Sequence, residues 1–421
     1  MFFAKLYLSC KTRHVLGDKF YKTLNFAHSI FIDMATLCLF NPDHDEAIAS
    51  NKSHLTVSLA AQQLVRDLAM LPLWYAADDA LVVADGALPN VYHALRGEAH
   101  CVDTPSWAEI TAVQPWGWNR ALRTCLAAHG CNEAILPSKV QLEQWRTLAH
   151  RRMAVEANRF LIDKLPTLSL PPVAEELHSI EALERFIRAC PDAVLKAPWS
   201  GSGRGVMMLH GDWNDNLHNR CRHIIERQGC VMGEPYLDKV QDFAMEFLRE
   251  NDAVIFVGYS LFDTRGGRYC GNRLLSNTAI VHYLSQWLSE DTLLAVRQVL
   301  TDFIEKKYVG YIGPVGIDML IYRHGACFSL YPTVEINLRM TMGMVACCLY
   351  NRYLDAHSTG TLSIDYEPRV EVLLADHRQR TQMHPPILHG GCLTEGYITL
   401  CPIVADTHYR ARLEVRSGAA V

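Results

Sequence analysis

Asp318, Glu335 and Asn337 are spaced to hold a hard cation. Asp318 sits in Gly316-Ile317-Asp318-Met319-Leu320-Ile321, and Glu335 in Thr333-Val334-Glu335-Ile336-Asn337-Leu338-Arg339. A turn at Arg323-His324-Gly325 separates the two runs. Folded as a hairpin, they bring Asp318 beside Glu335, while Glu335 and Asn337, two residues apart, share one face. Carboxylates at otherwise apolar positions are costly unless paired or metal-bound. Two carboxylates and an amide oxygen on one face suit Mg²⁺, which keeps waters and shares phosphate oxygens. Arg339 lies two further along that face and can hold a γ-phosphate or a substrate carboxylate. The plainer alternatives are a structural polar cluster and, for Arg339, a salt bridge to one of these acids.

A second group is Lys196-Ala197-Pro198-Trp199-Ser200-Gly201-Ser202-Gly203-Arg204-Gly205-Val206. Alternating glycines let the backbone approach a ligand and turn several N–H groups one way, which suits phosphate oxygens. Both flanks read as strands, so the loop is the tip of a hairpin. A dinucleotide fingerprint requires a helix after the glycines, and a Walker A loop requires Gly-Lys-Ser/Thr; neither is present. A protein-kinase glycine loop is also a hairpin, yet no His-Arg-Asp or Asp-Phe-Gly follows. Lys196 can place a cation on a phosphate, or be an exposed strand lysine. Between the two groups, Glu234 with the backbone at Tyr236 and Leu237 can bind an adenine edge, and Asp242 can accept from ribose hydroxyls. Strand-end solvation and turn capping are their bland counterparts.

These residues need strands to hold them. The spacing predicts a strand at 35–40, helical spacing over 55–71, a strand at 79–84, and helices at 118–128 and 142–165. That alternation argues for an α/β layer with a parallel sheet. Prolines at 166 and 171–172 mark a linker. Beyond it the pattern predicts a helix at 179–189, a strand at 193–197, the glycine loop and a strand at 205–209. A helix at 215–228 and a strand at 230–236 follow, then strands at 242–248, 253–262 and 268–274. A helix at 290–307 precedes a strand pair at 315–323 and 327–336, and a strand-like, turn-rich tail begins after 360. Residues 1–33 fit nothing downstream and read as an upstream extension before Met34 or as a separate N-terminal helix. The expected division is 1–33, an α/β domain over 34–150, a lid over 151–233, a nucleotide and metal subdomain over 234–355, and a tail over 356–421.

The 421 residues are too many for one core, and 49% hydrophobic with 20% charged is an ordinary globular balance. A net charge of −5 without basic runs gives no footprint for nucleic acid or an anionic membrane. No apolar stretch is long enough to span a bilayer, and the N-terminus is a poor signal peptide. The 14 cysteines show no zinc spacing and read as reduced cytosolic thiols. Asp43, His44 and Asp45 follow the first strand; they touch a substrate amine or cap the next helix, the cap being the simpler reading. Pro115-Trp116-Gly117-Trp118-Asn119 is a substrate-facing loop or, more plainly, two buried tryptophans.

The order of these features is itself informative: lysine, glycine hairpin, strand ending in Glu-x-x-Leu, acid, then Asp318 and Glu335-Ile336-Asn337 with Arg339. Over roughly 150–350 it resembles the ATP-grasp superfamily, which includes D-alanine–D-alanine ligase and glutathione synthetase. The resemblance implies an α/β and α+β architecture, with an N-terminal α/β domain and two α+β subdomains enclosing ATP. It implies Lys196 on phosphate and adenine, and the loop with Ser200, Gly201, Ser202 and Gly203 over the phosphates. Glu234, Tyr236 and Leu237 would hold adenine and Asp242 the ribose. Asp318, Glu335 and Asn337 would hold two Mg²⁺ ions, replaceable by Mn²⁺, with Glu335 bridging. A basic residue between the adenine segment and the acids falls on Arg268 or Arg273, Arg273 being preferred; with Arg339 it would serve catalysis. The implied chemistry is transfer of the γ-phosphoryl group to a carboxylate, giving an acyl phosphate that an amine then attacks. The implied partners are a small carboxylate and an amine, in the cytoplasm, with no nucleic acid or membrane; a homodimer is one option. A kinase acting on a hydroxyl and a non-catalytic nucleotide-binding module are the rival readings. The N-terminal region carries no substrate motif.

Overall fold

Short apolar strands alternating with helices build a parallel layer first: β1 (Ala35–Leu39), β2 (Leu81–Val83), β3 (His100–Val102) and β4 (Ile110–Pro115), in the order β3-β2-β1-β4. The computed structural model describes residues 35–418 except 85, 87, 98–99, 202, 204, 212 and 266–267. The expectations for residues 1–34, Ser202 and the Arg268 side chain fall outside what is described. Helices α1 (His44–Ser50), α2 (Leu59–Asp67) and α3 (Asn90–Arg96) lie between these strands, and α4 (Arg120–Ala128) follows the last of them. Ser58 and Asn119 cap α2 and α4 by accepting from Ala61 and Leu122 N–H. The loops after β1 and β4 lock together. Asn41 Nδ2 donates to the Gly117 carbonyl at 2.8 Å, and Gly117 N–H returns a bond to Asn41 Oδ1 at 3.2 Å.

The single helix expected over 142–165 is two, α5 (Lys139–Leu148) and α6 (Arg152–Lys164). His150 Nδ1 accepts from the Arg152 N–H at 2.9 Å, and Arg151 N–H leaves the helix to donate to the Pro198 carbonyl at 3.2 Å. The apolar period is similar on both sides of the break, so periodicity cannot reveal it. The α6 helix buries Met153, Ala154, Ala157 and Leu161 against Phe243, Ile317 and other residues of the large sheet. It also buries Val155 with Ala174, Cys230 and Met232, so the helix bridges the large sheet and the segment expected as the lid.

A second four-stranded sheet contains β5 (Glu175–Leu177), β6 (Asp192–Lys196), β7 (Val206–His210) and β8 (Val231–Pro235), antiparallel in the order β5-β8-β6-β7. Helices α7 (Ile180–Ala189) and α8 (Asp215–Gln228) cover one face through Leu183, Ile187, Leu195, Leu209 and Cys221. The other face carries Val194, Lys196 and Glu234. Gly229 closes α8 at φ +90°, a left-handed cap suited to glycine.

The remaining strands form one nine-stranded sheet: β9 (Asp238–Arg249), β10 (Val254–Arg265), β11 (Arg268–Leu274), β12 (Gly313–His324), β13 (Cys327–Asn337), β14 (Ser358–Tyr366), β15 (Ile387–His389), β16 (Cys392–Thr399) and β17 (Tyr409–Ser417). Their order is β13-β12-β9-β10-β11-β14-β17-β16-β15. Helices α9 (Asn277–Leu284) and α10 (Glu290–Lys307) join α6 over Phe243, Met245, Phe247, Ile317 and Met319. Helix α11 (Met342–Tyr353) packs on the opposite face, where Gly343 touches Glu246 and Ser260. The expected boundary at 355/356 cuts this sheet, because β14 pairs with β11 on one side and β17 on the other. The expected tail also holds a helix, α12 (Val370–Met383), which buries only Leu373. Ion pairs to β17 hold α12 instead: Arg380 to Glu414 at 2.6 Å and Asp376 to Arg410 at 2.6 Å. Such a helix has no apolar stripe to read. No helix among the described residues is long and apolar enough to cross a membrane.

Trp74 joins the first layer to the last strands. It is 1% exposed, meets Tyr92 and Tyr353 edge-on, and donates to the Leu400 carbonyl at 2.6 Å. Trp74→Ala is expected to cost about 3–5 kcal/mol in urea unfolding. A loss under about 1 kcal/mol would mean that this contact does not tie the ends of the chain together.

Candidate functional site

Strand register gathers the acids. Asp318 lies opposite Glu335, and Gly316 opposite Asn337. On the other side of β12, Gly316 faces Glu246, Asp318 faces Ala244, and Leu320 faces Asp242. Side chains opposite one another share a face. Asp242, Glu246, Asp318, Glu335 and Asn337 therefore stand on one side, while Phe243, Met245, Phe247 and Ile317 enter the core on the other. Asn337 Nδ2 donates to Asp318 Oδ2 at 3.2 Å. Glu246 is 1% exposed and accepts from Thr341 Oγ1 at 2.9 Å. Burial, then the Asp318 charge, pushes the Glu246 carboxyl up to about 8. Burial, then Glu335, raises Asp318. Four carboxylates and an amide are thus gathered on one face, and oxygen donors so clustered suit a divalent ion. Asp318, Glu335 and Asn337 fit Mg²⁺ on this ground, with Glu246 behind them.

Arg151 links this face to the glycine hairpin. Its Nη1 meets Glu335 Oε2 at 2.8 Å, and its Nε donates to the Ala197 carbonyl at 2.9 Å. Its Nη2 donates to Ser200 O at 3.2 Å and Ser200 Oγ at 3.1 Å. The hairpin tip rests on the N-terminal layer: a Cβ on Gly201 would lie 1.8 Å from Asp45 Oδ2, so only glycine fits there. Gly203 turns the tip at φ +72°. Arg339 Nε donates to the same Asp45 at 2.9 Å. Burial acts to raise the Asp45 carboxyl, but Arg339, His44 and Arg151 together outweigh it and hold the group below its usual value.

Lys196 and Glu234 sit diagonally across β6 and β8 and form a buried ion pair. Tyr331 OH donates to Glu234 Oε2 at 3.1 Å. Lys196 is thus no exposed strand lysine. The Tyr236 N–H is taken by the Asp192 carbonyl at 3.0 Å, and its ring packs on His210. No hydrogen bond among the described residues uses the Leu237 N–H. Asp242 Oδ2 accepts from Lys239 Nζ at 2.6 Å and Thr264 Oγ1 at 2.7 Å.

Arg273 is a correction. It pairs in register with Leu261, whose side chain is in the core, so it lies on the face turned away from the acids. There it meets Asp263 at 3.8 Å and stacks over Tyr283. The capping role for the loop after β1 is also corrected: Asp43 makes no side-chain cap bond, and Asp45 is bound to Arg339 instead. His44 is held neutral, its imidazole pushed down to about 4 mainly by burial. Arg151, Glu246 and Thr341 were not singled out in the sequence. Glu246 carried a signal, an acid inside the apolar run Phe243-Ala244-Met245-Glu246-Phe247-Leu248, whereas Arg151 looked like any helix residue.

A cavity of about 1240 Å³ opens beside Arg339, bounded by the N-terminal layer, α5, α11 and the β12 end of the large sheet. Both Trp116 and Trp118 line it, Trp116 nearly buried and Trp118 half-buried.

No family model matches the chain, and no curated protein matches its sequence. Solved structures do. The biotin carboxylase domain dimer of the Hydrogenobacter thermophilus 2-oxoglutarate carboxylase, solved with MgADP, ADP and bicarbonate, is 12% identical. It covers 93% of this chain and 87% of its own at a TM-score of 0.50. Staphylococcus aureus N5-carboxyaminoimidazole synthetase with ADP is 11% identical over 91% and 93%, with a TM-score of 0.47. A Campylobacter jejuni biotin carboxylase–ATP complex is 12% identical over 92% and 88%, with a TM-score of 0.48. The first of these carries the fold: the chain has the α/β and α+β ATP-grasp fold.

Two outcomes follow. A folded carboxyl near 8 against about 4.3 unfolded means that the folded state binds the extra proton between those values. Without divalent cation, the Glu246 contribution to stability is present at low pH and lost as pH rises toward 8. Urea midpoints at pH 5.5 and 8 should show this fall, and Glu246→Gln should flatten it; an unchanged slope would remove Glu246 as its source. Arg151→Lys keeps the charge but not the planar fork. Amide exchange over 197–206 should accelerate by roughly tenfold or more; unchanged exchange would show that the hairpin does not rest on Arg151.

Proposed function

We propose that the chain is an ATP-dependent ligase that activates a carboxylate as an acyl phosphate and joins it to an amine, releasing ADP and phosphate. The observation that carries this reading is the meeting, through Arg151, of a glycine hairpin with a face of clustered carboxylates. The biotin carboxylase structure with the same fold and MgADP lends it support.

In this reading the nucleotide lies between the cleft face of the lid sheet and the acid face of the large sheet. Lys196 and Glu234 stand at its base end, with the Leu237 N–H available for a ring nitrogen and Asp242 for the ribose. Ser200, Gly201 and Gly203 cover the phosphates and exclude water, which protects an acyl phosphate from hydrolysis. Asp318, Glu335 and Asn337 would hold Mg²⁺, which supplies charge neutralisation and alignment of phosphate oxygens. Arg339 and Arg151 spread the charge that develops on the transferring group. Arg339, fixed by Asp45, also reaches toward the cavity where a carboxylate can wait. Catalysis is then positioning and electrostatics, with no nucleophilic side chain. Residues 175–235 act as the lid, and 35–137 supply the substrate side.

Thermal unfolding with Mg-ATP tests the nucleotide site: saturation at about 100 times the dissociation constant stabilises by about 2.7 kcal/mol. Glu335→Gln and Lys196→Ala should each lose that shift in large part and slow ADP release by about 10²–10³-fold. An amide with free phosphate as products supports the ligase, whereas a stable phosphoester indicates a kinase. Equal ADP release by Glu335→Gln and the parent would exclude this site.

A further inference from the structure

We propose that the cavity beside Arg339 binds the acid to be activated, and that this acid has a large apolar body, an acyl chain or aryl group, rather than being bicarbonate or a small amino acid. The inference rests on the ligase reading and names its substrate class.

Position is the first argument. Arg339 and His44 line the cavity. Asp45, next to His44, is the residue on which both Arg339 and the glycine tip rest. Phosphate loop and cavity thus meet at one residue, so a carboxylate at the cavity's Arg339 end lies beside the transferring phosphoryl group. Arg339 spends Nε on Asp45 and Nη1 on the Met340 carbonyl. No hydrogen bond among the described residues uses its Nη2, which leaves one charged donor for a carboxylate oxygen.

Size and lining are the second. At about 1240 Å³ the space exceeds the about 300–1,000 Å³ of ordinary small-molecule pockets. Trp116, Trp118, Trp145, Tyr311, Leu338 and Met344 give it an apolar wall. A one-carbon or three-carbon acid would leave this wall in contact with water, whereas a long or aromatic acid buries it at about 25 cal/mol per Å².

The third is a set of orphans. His44 Nδ1, Tyr75 OH and Arg249 Nε are buried without a hydrogen-bond partner, and all three residues line this cavity. An unpaired buried polar atom costs about 1–3 kcal/mol. A ligand with an apolar body and a few polar atoms would relieve several of these at once, which a purely hydrocarbon ligand cannot. Of the other cavity arginines, Arg146 donates to the Ile48 carbonyl at 2.7 Å and lies over Trp199, and Arg352 is held by Asp78, while Arg249 gives Nη1 to the Asn251 and Ala253 carbonyls.

The reaction balances without a further reagent. The carboxylate oxygen forms the new O–P bond, the bond from the γ-phosphorus to the ADP oxygen breaks, and ADP departs. A nitrogen nucleophile then attacks the carbonyl carbon, the bond from that carbon to the phosphate oxygen breaks, and the proton lost from nitrogen passes to the departing phosphate.

Dodecanoate and indole-3-propionate, against acetate and bicarbonate, test the inference on the full chain. One readout is quenching of tryptophan fluorescence by each acid without nucleotide. The other is ADP release and hydroxamate formation with Mg-ATP and hydroxylamine as the amine. The expected result is quenching and hydroxamate with the large acids only. Trp118→Glu, which sets a charge in the apolar wall, should weaken dodecanoate binding by roughly tenfold or more, with the Mg-ATP thermal shift as the control for folding. Turnover with acetate or bicarbonate but not the large acids overturns the substrate class and leaves the ligase reading standing. Binding of large acids with no Mg-ATP shift and no ADP overturns the ligase reading and, with it, activation in this cavity. Absence of binding by either large acid overturns the inference outright.

Discussion

The site depends on one buried guanidinium. Arg151 lies where α5 breaks from α6, and its fork meets Glu335 on the large sheet and Ala197 and Ser200 on the hairpin. Few side chains can do this: a lysine offers a point charge without a plane, and a neutral residue would leave Glu335 unpaired on a crowded anionic face. The helix break follows from the same need, since Arg151 N–H turns to the Pro198 carbonyl instead of continuing the helix. A local irregularity therefore sets the distance between loop and acids.

Around that fork the charges form a deliberate imbalance. Asp45 is paired with Arg339 and sits low, whereas burial, with a neighbouring carboxylate added, holds Asp318 and Glu246 high although Arg339 acts on both. Perturbed carboxyls clustered in a cleft mark a candidate functional site. Gly316 and Gly343 make room for the Glu246 carboxylate. A Cβ on Gly343 would fall 2.0 Å from Glu246 Oε1, and one on Gly316 would fall 2.8 Å from Glu246 Oε2. The acid face is thus packed around its carboxylates and not merely decorated by them.

Much of this was legible in the residues. Strand period two and the hairpin at 323–325 placed Asp318 opposite Glu335, and alternating glycines placed a tight tip after Lys196. Legibility stopped where side chains act across distant segments. Arg151 contacts residues 46 to 49 positions away, and Arg339 reaches Asp45 across 294. Arg273 was misjudged for a related reason: its side of the sheet is set by its register with Leu261, which local spacing does not reveal. Helix α12 escaped because ion pairs stand in for the apolar stripe. The N-terminal layer showed its alternation but not its partner, since the loop after β1 meets Arg339 only in the folded chain.

The bond from Trp74 to the Leu400 carbonyl spans 326 residues, and β11 completes its pairing only when β14 has arrived, which in turn waits for β17. On the ribosome, the first layer must therefore wait, with Trp74 and its neighbours uncovered, until almost the whole described chain has emerged. At about 5–20 residues per second that delay lasts tens of seconds. A nascent chain that exposes an aromatic core for so long is a natural client for chaperones, and high contact order makes its last closure slow. The length of that wait is set by the position of a single strand in the sheet.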